Sequence, residues 1–64
     1  METVYFDSLG ESGNIFAVIS LTKPFLSKAD FKELTNKVFG SGSYEEALSH
    51  IREYVDLIDV SGEY

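Results

Sequence analysis

Asn14–Leu21, NIFAVISL, decides the fold. Its continuous apolar run with β-branched residues suits a buried strand and a buried helix equally, because periodicity does not separate the two over so short a run. As a strand it forms a hairpin with residues 2–6 and the order is β-β-α-α-β. As a helix it gives β-α-α-α-β. Both are small α+β domains. Ser12 is an acceptable N-cap for a helix here, although Ile15, at the capping-box position, is not acidic. Pro24 lacks an N–H and clashes with the preceding turn, so a helix should end or kink near Leu21–Lys23.

Working outward, Glu2–Phe6 alternates polar and apolar residues with β-branched and aromatic side chains, which reads as a short strand. Asp7–Gly13, DSLGESG, is a loop by composition. Ser27–Phe39 is an amphipathic helix. Ser27 and Asp30 have N-cap and N3 spacing, Phe31, Leu34 and Val38 form the apolar stripe, and Glu33 with Lys37 makes an i,i+4 pair. Gly40 stands where a C′ glycine stops a helix. The GSG connection at 40–42 makes the next helix an antiparallel or sharply angled neighbour.

That next helix, Ser43–Val55, SYEEALSHIREYV, has the clearest pattern in the chain. Ser43 and Glu46 have capping-box spacing. Tyr44, Ala47, Leu48, Ile51, Tyr54 and Val55 recur on one face. Asp56–Val60, DLIDV, extends this helix by a turn or forms a strand that pairs with residues 2–6 and joins the chain ends. A two-stranded ribbon alone is marginal in water, which points to dimerisation by joined sheet edges. Ser61–Tyr64 is expected to fray.

With 64 residues there is room for one domain, 1–64, and one core. No linker or repeat divides it. There are no cysteines and one histidine, so neither disulfides nor a zinc site is expected to support the fold. A homodimer is the remaining support. The hydrophobic share of 44% and the aromatic share of 14% mark a folded chain whose aromatics partly serve interfaces. No apolar run reaches the ~18–20 residues that span a bilayer, and METVYF is not a basic signal sequence. A cytoplasmic location, no membrane contact and no cofactor are expected.

The net charge of −6 opposes direct nucleic-acid binding and favours a basic protein partner, or imitation of nucleic acid on one. The charge is uneven. Residues 1–21 hold Glu2, Asp7 and Glu11 and no base. Residues 22–37 hold Lys23, Lys28, Lys32 and Lys37 against Asp30 and Glu33. Residues 38–64 hold Glu45, Glu46, Glu53, Asp56, Asp59 and Glu63 against Arg52.

No catalytic signature is present. The helix start at Ser12, Gly13 and Asn14, with Lys23 nearby, is a candidate anion or nucleotide site, but it lacks the GxxxxGK[ST] of a P-loop and ordinary capping accounts for it. His50, one turn after Glu46, is expected to pair with it at the surface and has no nucleophile at useful spacing. Glu45 and Glu46 complement a helix dipole, and neither they nor Asp56 and Asp59 form a DxDxDG calcium loop. Tyr44 and Tyr54 are placed at the rim of the core. Tyr5 and Tyr64, with the acidic row Glu45, Glu53 and Asp56, are the candidate protein-interface residues.

At SGNIFAVI and GSYEEALSHIREYV the chain resembles a loosely defined group of short hypothetical proteins of bacteriophages and mobile elements. The resemblance covers residues 12–19 and 41–55 and brings no activity with it. It implies that the first segment is a helix running into a basic stretch, so β-α-α-α-β is the favoured order. Here Pro24 interrupts that stretch. Taken with the acidic charge and the lack of a catalytic signature, that phage or mobile-element origin leads to the expectation of a non-enzymatic, protein-binding accessory protein, in its concrete form an acidic inhibitor of a host defence protein. A small anionic-ligand or nucleotide binder and a self-assembling structural protein are the alternatives.

Overall fold

Alternation of side chains decides the two strands. In β1 (Thr3–Phe6) Val4 and Phe6 are buried while Thr3 and Tyr5 are exposed, and in β2 (Asp56–Asp59) Leu57 and Asp59 are buried while Asp56 and Ile58 are exposed. The computed structural model describes residues 1–64 and pairs these strands in parallel, with Val4 opposite Leu57 and Phe6 opposite Asp59. A parallel pair cannot be closed by a tight turn. All three helices therefore lie in the crossover, and the order is β-α-α-α-β.

Residues Ile15–Thr22 form helix α1, so the hairpin alternative fails. Its cap is Asn14, not Ser12: the Asn14 Oδ1 accepts from the Phe16 N–H at 2.8 Å. Ser12 instead sits in a 3-10 turn, Glu11–Gly13, and its Oγ accepts from the Asp7 N–H at 3.0 Å. The apolar run is not buried all round. Val18, Ile19 and Thr22 face the core, while Phe16 and Leu21 face solvent. Thr22 is buried without cost in hydrogen bonding, because its hydroxyl donates to the Ile19 carbonyl at 2.6 Å. The helix ends where Pro24 requires, in a 3-10 turn over Lys23–Phe25.

Helix α2 (Lys28–Phe39) is capped by Ser27, whose Oγ accepts from the Asp30 N–H at 3.1 Å, and it buries Leu34 and Val38. Gly40 does end it, but at φ −85° and ψ 0°, a right-handed conformation that any residue adopts. Helix α3 (Tyr44–Ile51) is capped by Ser43 in the expected register, while the return bond of its capping box falls one residue earlier. The Ser43 Oγ accepts from the Glu46 N–H at 3.0 Å, and the Glu46 carboxylate reaches back to the Gly42 N–H. It stops at Ile51, four residues short of Val55, because the chain tightens to i→i+3 hydrogen bonds: Glu53 N–H to the His50 carbonyl at 3.1 Å and Tyr54 N–H to the Ile51 carbonyl at 3.0 Å. That turn still delivers Val55 to the core.

The core sits between the inner sheet face (Val4, Phe6, Leu57) and the helices, with Leu34, Leu48 and Ile51 fully buried at its centre. The 3-10 turn before α1 is wedged against the loop beneath it. A Cβ on Gly13 would lie 2.5 Å from the Ser8 carbonyl oxygen, whereas one on Gly40 would lie 3.5 Å from the Asn36 carbonyl oxygen, an ordinary contact.

The two glycines therefore respond oppositely to alanine. Gly13→Ala is expected to destabilise by roughly 1–3 kcal/mol through overpacking against backbone. Gly40→Ala should be neutral or stabilise by up to about 1 kcal/mol, since it restricts the unfolded chain at a compatible φ,ψ. Urea unfolding of both variants checks the contrast; equal effects would contradict it.

Candidate functional site

Three element ends converge on one side of the molecule. The start of α1 supplies Ile15, the end of α2 supplies Val38 and Phe39, and the start of α3 supplies Tyr44 and Ala47. Together with the 41–43 loop they line an open groove of about 380 Å³. Beside it, Phe16 and Phe39 touch one another, ring centroids 5.8 Å apart and tilted by 57°. Each of the two residues remains 62% exposed. Glu45 and Glu46 follow Tyr44 in the first turn of α3, and the Glu46 carboxylate stands at the rim of this surface, on the Gly42 N–H.

One wall of the groove is fixed by a polar clasp. The Tyr44 hydroxyl donates to the Gly13 carbonyl, and its ring meets Tyr64 edge-on at 5.2 Å and 66°. Burial raises the Tyr44 hydroxyl above its ordinary pKa, and the Asp59 carboxylate adds to the effect. Asp59 gathers the chain ends. Its carboxylate accepts from the Ser8 N–H at 3.1 Å and hydroxyl at 2.5 Å, from the Ser61 N–H at 3.0 Å and hydroxyl at 2.8 Å, and from the Tyr64 N–H at 2.9 Å. Burial pushes its pKa up, but the hydrogen bonds from Ser8, Ser61 and Tyr64 prevail and hold it well below the usual carboxylate range. With its lone pairs so occupied, this carboxylate is a structural hub and not a general base. The Arg52 guanidinium adds a hydrogen bond to the Tyr64 carbonyl at 3.2 Å. Ser61–Tyr64 is thus tethered, where fraying was expected.

The expected anion site is not assembled. The hydroxyl of Ser12 and the amide oxygen of Asn14 are engaged with backbone N–H groups, and Gly13 is packed under the Tyr44 hydroxyl. Lys23 lies past the opposite end of α1, 5.7 Å from the Phe31 ring centroid. The interface residues are also dispersed. Tyr5 and Asp56 are on the outer sheet face, Glu45 is free at the start of α3, and Tyr64 leans on Tyr44. Glu53 is not a free carboxylate: it meets Lys37 at 3.2 Å and His50 at 3.9 Å. His50 consequently pairs with Glu53 and not with Glu46, which caps its helix.

Lys37 is the centre of that surface network, 3.7 Å from Glu33 and 5.2 Å from the Tyr54 ring centroid, while the Tyr54 hydroxyl donates to Glu33. These contacts raise the Lys37 ammonium, through Tyr54 and then Glu53, and lower the Glu33 carboxyl, through Tyr54 and then Lys37. The network ties α2 to the turn after α3. It sits at the surface, where such pairs add little stability. No three acidic or imidazole side chains converge in a group able to hold a metal. No helix is long and apolar enough to cross a membrane.

No family model, curated protein or solved structure matches this chain. Nothing in the sequence pattern marks the groove or the two phenylalanines at its side. Phe16 lay hidden in a run read as buried, and Phe39 closes α2 one position after its apolar stripe.

Asp59 provides a pH test. Its folded pKa lies below the ordinary value of 3.8, so the stability it contributes is present above that value and lost as pH falls below it. The urea midpoint of the wild type is expected to drop steeply below about pH 4. Asp59→Asn should lower the midpoint at pH 7 and flatten the acid limb. An unchanged acid limb would count against the clasp.

Proposed function

We propose that this chain is a non-enzymatic protein-binding module, an acidic accessory protein of phage or mobile-element origin that occupies a basic site on a host protein, in the concrete case a defence protein. The observation that carries this reading is the Phe16–Phe39 pair, two aromatic residues each left 62% exposed beside an apolar groove. Exposed aromatics clustered beside a groove are the usual anchors of protein interfaces. The chain's net charge of −6 and the adjacent Glu45 and Glu46 favour a partner whose apolar anchor is flanked by lysine or arginine. The anionic-ligand alternative gains no comparable support, since the oxygens of Ser12 and Asn14 are occupied and Lys23 is remote from them.

A fluorescein-labelled amphipathic Leu/Lys helical peptide is a direct probe of this chemistry. Fluorescence anisotropy is expected to show binding at low ionic strength that weakens as salt rises. The double variant Phe16→Ala, Phe39→Ala should weaken binding by at least about tenfold, the scale of losing one interface anchor, while the fold persists because both rings are exposed. Affinity unchanged in the double variant would overturn the assignment of the groove.

A further inference from the structure

The two edges of the sheet differ. In a parallel ladder alternate residues turn their N–H and C=O groups toward the neighbouring strand. The carbonyls of Glu2 and Phe6 accept from the Asp56 and Val60 N–H groups at 2.8 Å each, so Glu2, Val4 and Phe6 face β2. Thr3 and Tyr5 therefore present theirs to the outer edge of β1, and no turn, loop or cap hydrogen bond engages either. On β2 the outward carbonyls are occupied: that of Leu57 accepts from the Arg52 Nε at 3.4 Å, and that of Asp59 from the Gly62 N–H at 3.0 Å. On that edge the chain itself takes the carbonyls, while no turn, loop or cap hydrogen bond engages the Leu57 and Asp59 N–H groups. The other is open.

Natural proteins blunt open edges with lysine, proline, a bulge or a covering loop. Residues 3–6, TVYF, contain no charge and no proline, and Tyr5 leaves 64% of its surface in solvent. We propose that this edge pairs antiparallel with the same edge of a second copy, about a two-fold axis at Val4, to give a four-stranded sheet ordered β2-β1-β1-β2. That register sets Thr3 opposite the partner's Tyr5 in both directions, so all four open N–H groups and all four open carbonyls are matched. It also sets Glu2 opposite the partner's Phe6. A slip that brought Glu2 opposite Asp7 would put like charges across the ladder and turn the wrong backbone groups inward. Strands of four residues bury less than a standard interface, so the dimer is a weak, exchanging one. This inference rests on the sheet alone and stands apart from the groove.

Sedimentation equilibrium across micromolar to millimolar concentration, with amide hydrogen exchange on the same samples, tests it. The expected result is a monomer–dimer equilibrium in which protection of the Thr3 and Tyr5 amides rises with concentration. Tyr5→Pro removes an outward N–H without removing a bond to β2, and should weaken association by at least about tenfold; Tyr5→Thr, which keeps the N–H, should retain it. If Tyr5→Pro does not fold, the exchange of the wild-type amides decides. A monomer up to the order of a millimolar overturns the proposal. So does a dimer whose Thr3 and Tyr5 amides exchange as in dilute protein, or one that dissociates on Phe39→Ala and persists in folded Tyr5→Pro.

Discussion

The fold depends on one carboxylate at the place where both strands leave the sheet. Asp59 ends β2, and its oxygens bind Ser8, just beyond β1, and Ser61 and Tyr64, just beyond β2. The two strands are joined by no local turn, so their register has to be secured by side chains and by burial. Val4, Phe6 and Leu57 supply the apolar part of that register. Asp59 supplies the directional part, because hydrogen bonds to a buried carboxylate allow far less slippage than apolar contacts do. The same residue carries the chain on to Tyr64, whose ring buttresses Tyr44 and so helps shape the groove wall.

The sequence was most legible where a local rule needs no tertiary partner. Ser27 and Ser43 cap α2 and α3 as their spacing indicated, and Pro24 ends α1. The strand at residues 2–6 was also legible from alternation, whereas DLIDV suited a further helical turn as well as the strand it forms. The errors lie where a side chain had two local uses. Asn14 and Ser12 both suit an N-cap, and the 3-10 turn at Glu11–Gly13 drew Ser12 back to the Asp7 N–H. Glu46 suits both a capping box and an ion pair with His50; the cap prevailed and His50 turned to Glu53. Tyr54 and Val55 continue the helical pattern of α3 although the backbone has already tightened, since one further i→i+3 turn keeps Val55 on the buried side.

The candidate site was scarcely legible, for a physical reason. A pattern of apolar residues states that a surface prefers to leave water, not which neighbour is present to cover it. Phe16 and Val18 look alike in NIFAVISL, yet Val18 is buried in the core and Phe16 stays largely exposed beside Phe39. Asp59 posed the converse difficulty. In DLIDV it reads as one more surface acid, and only the arrival of Ser8 from the other end of the chain makes it a hub.

Small size connects these features. A chain of 64 residues has too few elements to cover both sides of a helix or both faces of a sheet. A helix that is apolar nearly all round, such as α1, is normally enclosed by neighbours on every side. Here α3 and β1 pack against one side, and Phe16 and Leu21 remain outside. The two-stranded sheet is likewise covered on one face, and only one of its edges has its carbonyls occupied. The core is shared between the inner sheet face and the helices, and part of the apolar surface stays exposed. The groove and the open edge are thus two outcomes of one constraint, separated by the helices that satisfy it.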